Sequence, residues 1–283
     1  MTWQLLTFIS AFTLSGAVLL QRSLLSTYKV NVFGYAVFSQ FLIAAVLFVP
    51  ALALEFKLPN IENYIVESIV AIVAFGAGHI LYAKALQLVE ASRFSVLFAT
   101  QAIWIMGFGI VLFGESLTIA QIVGTLFIFI SVLLLSGYWQ LWKVDKGTVY
   151  GLITAFIFAI AITSWSYVGR GTDGLSWTAV SFAGTAIVAF LLYPRSIILM
   201  KPFLPRKILV RFILLAIVYA IGSYAMLGAY TYGDFSTVTP LRQTSIIITV
   251  LMAFLFFKNE RTNIKLKLTA ALISFVGVIL IVL

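Results

Sequence analysis

The chain divides almost end to end into apolar runs of membrane-spanning length, and no motif in it is as restrictive. A spanning helix needs about 20 apolar residues. Ten such runs fit, at approximately 2–21, 31–54, 62–88, 92–113, 118–138, 148–169, 175–194, 208–231, 236–257 and 265–283, with short connectors between them. Of the 283 residues 63% are apolar and 10% charged, so no stretch remains for a separate water-soluble catalytic domain. The runs are continuous rather than alternating, which excludes a transmembrane β-barrel. The expected fold class is an all-α polytopic membrane protein. The first run begins at Met1 without a basic region and carries Ser10, Ser15 and Gln21, so it is expected to be a retained helix and not a signal peptide.

The sequence also repeats itself. At an offset of 144, Ser10, Ala11 and Phe12 fall on Thr154, Ala155 and Phe156, Gly78 falls on Gly222, Leu97 on Leu241 and Thr100 on Thr244. The hairpin Glu90-Ala91-Ser92 falls on Asp234-Phe235-Ser236, and Glu115 falls on Glu260 with one residue inserted. Five spans separate each residue from its copy. Five is odd, so the second half threads the bilayer in the opposite direction, giving ten transmembrane helices as two inverted five-helix repeats, residues 1–140 and 147–283.

Charge sets the expected orientation. Taking the N-terminus as face one, that face carries Lys57 and Arg170, against 15 basic residues on face two, with Arg242 inside a span. The positive-inside rule puts face two in the cytoplasm and both termini outside a cell (plasma) membrane. The net charge of +9 therefore reports topology, and nucleic-acid binding is not expected.

From Tyr82 to Ser92, in Leu112-Phe-Gly-Glu-Ser-Leu117 with the Gly124 helix, and in Asn259-Glu260 with the helix ending near Gly277, the chain resembles the EamA-type members of the drug/metabolite transporter superfamily. The resemblance covers the whole chain. It implies ten helices in two repeats and transport of a metabolite by alternating access. Many relatives have an Arg-Phe pair where this chain has Gln40-Phe41, and a proline near the place of Gln101.

Ionisable groups inside spans are costly and mark function. Here they are His79, Lys84 and Arg242. Arg242 lies about 9 Å below the start of its helix and could hold a carboxylate bidentately, or snorkel to the interface. Lys84, a turn from its helix end, is expected to snorkel; His79 could pack, line a cavity or relay a proton. Gln40, Gln101, Gln243, Ser245, Tyr82 and Tyr224 are polar candidates for a cavity, and Trp104, Trp165 and Tyr167 offer flat faces to a substrate. Trp165 and Tyr167 also suit the interfacial belt, to which Trp3, Tyr138, Trp139 and Trp142 are assigned. Ser92 and Ser236 are expected to cap helices, with Glu90, Asp234, Glu115 and Glu260 in structural roles at helix starts. The third, fourth, eighth and ninth spans are expected to line the cavity.

Zero Cys, one His and no H-E-x-x-H leave no thiolate or paired-His metal site, no cofactor is expected, and an enzyme lacks its residues. A scaffold does not need inverted repeats, whereas they are apt for alternating access, since two similar packings of antiparallel halves give inward-open and outward-open states of comparable energy. The expected partners are a small-molecule substrate and the lipid bilayer, with a monomer or homodimer as the assembly. No acid lies deep in a span, so lipophilic cations are disfavoured. Arg242 favours an amino acid or other carboxylated metabolite, with export the expected direction; the alternative is a quaternary amine in an aromatic cage.

Overall fold

A computed structural model describes residues 2–54, 56–113, 118–135, 145–233, 238, 241–242, 244–257 and 263–282. Among the described residues there is no strand. Helix α1 spans Trp3–Arg22 and runs on through a π turn at Ser23–Thr27; α2 is Val32–Ala53 and α3 Ile65–Leu88. Then come α4 (Ala91–Ala99), α5 (Gln101–Phe113), α6 (Ile119–Leu135), α7 (Lys146–Gly171) and α8 (Gly174–Leu192). A four-residue helix α9 (Ser196–Leu199) precedes α10 (Arg206–Tyr232), α11 (Ser245–Phe256) and α12 (Ile264–Val282). Six of the described helices are long and apolar enough to cross a membrane alone. With α4 and α5 counted as one span, and with α6, α11 and α12, the described residues make up ten.

Side-chain caps start several helices, because the first backbone N–H groups have no intrahelical acceptor. The Asn31 side chain accepts from the Phe33 and Gly34 amides at 2.9 and 3.3 Å, Asp145 from Thr148 N–H at 2.7 Å and Asp173 from Ser176 N–H at 3.0 Å. Ser92 does not cap α4. It lies buried inside the first turn, and the cap position falls to Glu90, whose carboxylate pairs with Lys267 at the start of α12. Ser236, Asp234, Glu115, Glu260, Tyr138, Trp139 and Trp142 lie outside the described residues.

The main packing pairs are α3 with α7, α1 with α10, α6 with α12 and α2 with α8. Under the offset of 144, α3 becomes α10 and α7 becomes α1, so the first two pairs exchange and the other two map onto themselves. A pseudo-twofold relation between the halves is thereby visible in the packing. Glycines make the first two pairs close: a Cβ on Gly78 would stand 2.8 Å from the Phe158 ring, and one on Gly222 2.7 Å from Leu14. Both residues and both obstacles are repeat mates.

The fourth span is not one helix. Thr100 interrupts it: its N–H turns to the i−3 carbonyl of Leu97 at 3.3 Å and its hydroxyl donates to the same oxygen at 2.8 Å. The ninth span shows the same turn, with Thr244 N–H on the Leu241 carbonyl at 3.1 Å before α11 begins. The tightened geometry withdraws backbone groups from the regular ladder, which a membrane protein tolerates only next to protein or a polar cavity.

Each repeat also carries an arginine clasp. Arg22, ending α1, donates from Nη1 to the carbonyls of Leu86 and Gln87 at 2.6 and 3.0 Å. Arg170, ending α7, donates to the carbonyls of Tyr230 and Gly233, each at 2.7 Å. These carbonyls close α3 and α10, where helix ends leave acceptors unpaired.

Candidate functional site

The helix breaks meet at a cavity between the halves, with an empty volume of about 830 Å3, its open mouth included. The offset of 144 maps much of its wall onto itself: Leu14 with Phe158, Val18 with Ile162, Gln21 with Trp165, Phe75 with Tyr219, Tyr82 with Met226, and Phe98 with Arg242. The cavity thus sits on the pseudo-twofold axis.

One part of the wall is a packed aromatic cluster. Tyr82, Phe94, Phe98 and Phe158 have ring centroids 4.7 to 5.8 Å apart, in edge and stacked arrangements. Tyr82 Oη donates to Gln21 Oε1 at 2.7 Å, joining α3 to α1. Trp165 is fully buried, donating from its indole to Ser181 Oγ at 2.9 Å, so it belongs to the interior and not to an interfacial belt. Tyr167 is on the outside, edge-on to Tyr64.

Among the described residues of this wall Arg242 supplies the one cationic group. It is 8% exposed, and its Nη2 donates to Gln101 Oε1 at 3.0 Å, bridging the ninth span to the fourth beside both breaks. Its Nε has no partner among the described residues, nor has Gln101 Nε2. No Asp or Glu lies on the described wall. Ser245 and Ser15 adjoin it, the Ser15 hydroxyl lying 3.1 Å from the Ser245 carbonyl. A buried guanidinium facing neutral partners retains donor capacity for an anion.

The other predicted residues distribute as follows. His79 is buried one layer behind the wall, its Nδ1 donating to the Phe75 carbonyl at 2.8 Å and its ring 5.0 Å from Phe158. Gln101 touches the cavity through Arg242. Trp104 faces outward, 44% exposed, edge-on to Phe156. Gln40 is buried on α2 away from the cavity wall. Tyr224 donates to the Leu47 carbonyl at 2.6 Å and so ties α10 to α2. Lys84 lies over the Phe33 and Tyr150 rings at 5.2 and 5.7 Å. Gln243 lies outside the described residues. Tyr82, Trp165, Arg242 and Ser245 are brought together on the wall.

The expected lining helices were the third, fourth, eighth and ninth spans; the first, sixth and seventh contribute as well, through Gln21, Ile162 and Phe182. Gln21, Phe75, Phe98, Tyr219 and Ser223 went unselected, although carrying Trp165 or Arg242 back by 144 residues leads to Gln21 and Phe98. Among the described residues no group of three His, Asp or Glu side chains could hold a metal ion.

The family model described as "EamA-like transporter family" matches residues 1–137 and again 145–283. The chain belongs to the EamA-like transporter family. It is a multi-pass membrane transporter of the drug/metabolite transporter superfamily, and its doubled match follows the two halves seen in the packing. A solved structure titled "Crystal structure of protein" matches with a TM-score of 0.68 and 19% identity, over 97% of this EamA-like chain and 94% of that chain, which shows a shared fold. No curated protein matches.

Proposed function

We propose that this EamA-like transporter exports a small carboxylated metabolite, an amino acid foremost, with the carboxylate on Arg242 and the apolar part against Trp165, Phe182 and Phe75. The observation carrying this reading is the buried Arg242 guanidinium on a cavity wall with no acid described on it. A carboxylate satisfies such a group through charge-assisted hydrogen bonds. A quaternary amine would face repulsion from Arg242, and the rings of the aromatic cluster pack on one another rather than around an empty cage. The test is uptake into liposomes: Arg242→Gln loses radiolabelled amino-acid transport by roughly 30-fold or more. Choline transport in the wild type, unaffected by this substitution, would overturn the reading.

Coupling follows from the same wall. Arg keeps its proton at any physiological pH, and His79 stands behind the rings, so turnover is facilitation or exchange without a coupled proton. We place the protein in the plasma membrane, and the 2 to 15 distribution of basic residues supports both termini lying outside. A reporter fused after Leu283 that works only in the cytoplasm stays silent.

A further inference from the structure

We propose that the connector between α8 and α10, together with the turn after α1, binds the headgroup of an anionic phospholipid in the leaflet at face two. The connector is anchored by Phe203, which is buried with its ring 5.7 Å from Phe38 and 5.2 Å from Phe212. Around that anchor Ile197, Ile198 and Leu204 turn outward, 58%, 67% and 65% exposed. In a membrane protein, apolar side chains placed so at the end of a span lie in the boundary between headgroups and acyl chains.

Cations surround them. Lys201, Arg206 and Lys207 are exposed, and Arg211 follows one turn later on α10. The Arg211 guanidinium sits 4.6 Å from the centre of the Tyr28 ring and the Lys207 ammonium 6.0 Å from it, next to exposed Lys29. No Asp or Glu occurs between residues 1 and 54 or between 174 and 233. Among the described residues none of Lys29, Lys201, Lys207 and Arg211 forms an ion pair. Like charges gathered on one ring without a counter-ion repel, and a phosphodiester removes that repulsion. Free phosphate would satisfy the cations but leave Ile197, Ile198 and Leu204 uncovered, whereas a phospholipid brings acyl chains alongside its charge. The phospholipid accounts for both.

Native mass spectrometry of the purified full chain, released from micelles with equal amounts of phosphatidylglycerol and phosphatidylcholine, tests the proposal. The wild type retains phosphatidylglycerol preferentially. Lys201→Gln/Lys207→Gln/Arg211→Gln weakens retention by about fivefold for each charge removed. Ile197→Ser/Ile198→Ser also weakens it, and Lys57→Gln, on the other face, leaves it unchanged. Should the triple variant fail to fold, Arg211→Gln alone carries the test through the loss of the guanidinium over Tyr28. Equal retention of both lipids, unchanged retention in the charge variants, or displacement of the lipid by an equal concentration of inorganic phosphate would overturn the proposal.

Discussion

Thr100 and Thr244 interrupt two spans by the same turn, yet two residues before the break stands Phe98 in one half and Arg242 in the other. Both side chains face the cavity. The backbone device is shared because it serves both halves alike, opening a helix beside a space reached from either face. The side chains differ, and an unlike pair suits the proposed substrate, which has two unlike ends. A symmetric frame with an asymmetric lining can present the same site to both faces while holding its ligand in one orientation.

Making the halves alike is the severest way to break the comparison. Arg242→Phe gives the ninth span the side chain of the fourth, and carboxylate uptake into liposomes falls by roughly 30-fold or more. Phe98→Ala, which removes one ring from the aromatic cluster, costs only a few-fold. Equal losses would mean that the asymmetry at the breaks does not orient the substrate.

The frame itself is probed by Gly78→Ala and Gly222→Ala. Each new methyl meets a repeat-related side chain, Phe158 or Leu14, closer than a Cβ can stand without displacing it. Each variant loses about 1–3 kcal/mol of stability, and by similar amounts. Thermal unfolding in detergent checks this, and a large loss in one variant alone would show that the two pairings are not mechanical equivalents.

The smallest effect concerns the membrane face. Arg93 at the start of α4 pairs with Asp145 at 2.7 Å and donates to Thr148 at 2.7 Å, while the repeat mate of Arg93 is Thr237, which has no charge. Burial raises the Asp145 carboxyl, but the Thr148 N–H and the Arg93 guanidinium outweigh it and hold the group below the usual carboxylate range. A depressed carboxylate contributes stability above its unfolded value and loses it as pH falls through the folded one. Stability therefore declines on acidification into that range, and Asp145→Asn flattens part of the decline. Half of the Asp145 side chain being open to solvent, the difference stays below about 1 kcal/mol. An identical acid profile in Asp145→Asn would remove the pair from the account of this face.

The frame was legible because length, apolarity and an odd number of spans per repeat are properties of the chain read in order. Arg242 was legible too, since charge inside a span is conspicuous. Most of the aromatic wall was not: only the repeat could have led from Arg242 to Phe98, and Phe75 and Phe182 differ in no way, along the sequence, from the phenylalanines that face lipid. Trp104 illustrates the converse, a large aromatic in mid-span that points outward. Spans of low amphipathicity hide which face is inside, and only packing reveals it.

The two arginine clasps have an electrical consequence. A long helix leaves about half a negative elementary charge at its C-terminal end. Arg22 sits on that end of α3 and Arg170 on that end of α10, at opposite surfaces of the bilayer. These helices run antiparallel, so their dipoles oppose one another and each negative pole is met by a guanidinium. A transmembrane voltage accordingly does little net work on the pair. Arg242, on the described wall between the halves, is the cation left for a voltage to act on, and an anionic cargo would neutralise it where a zwitterionic one would not.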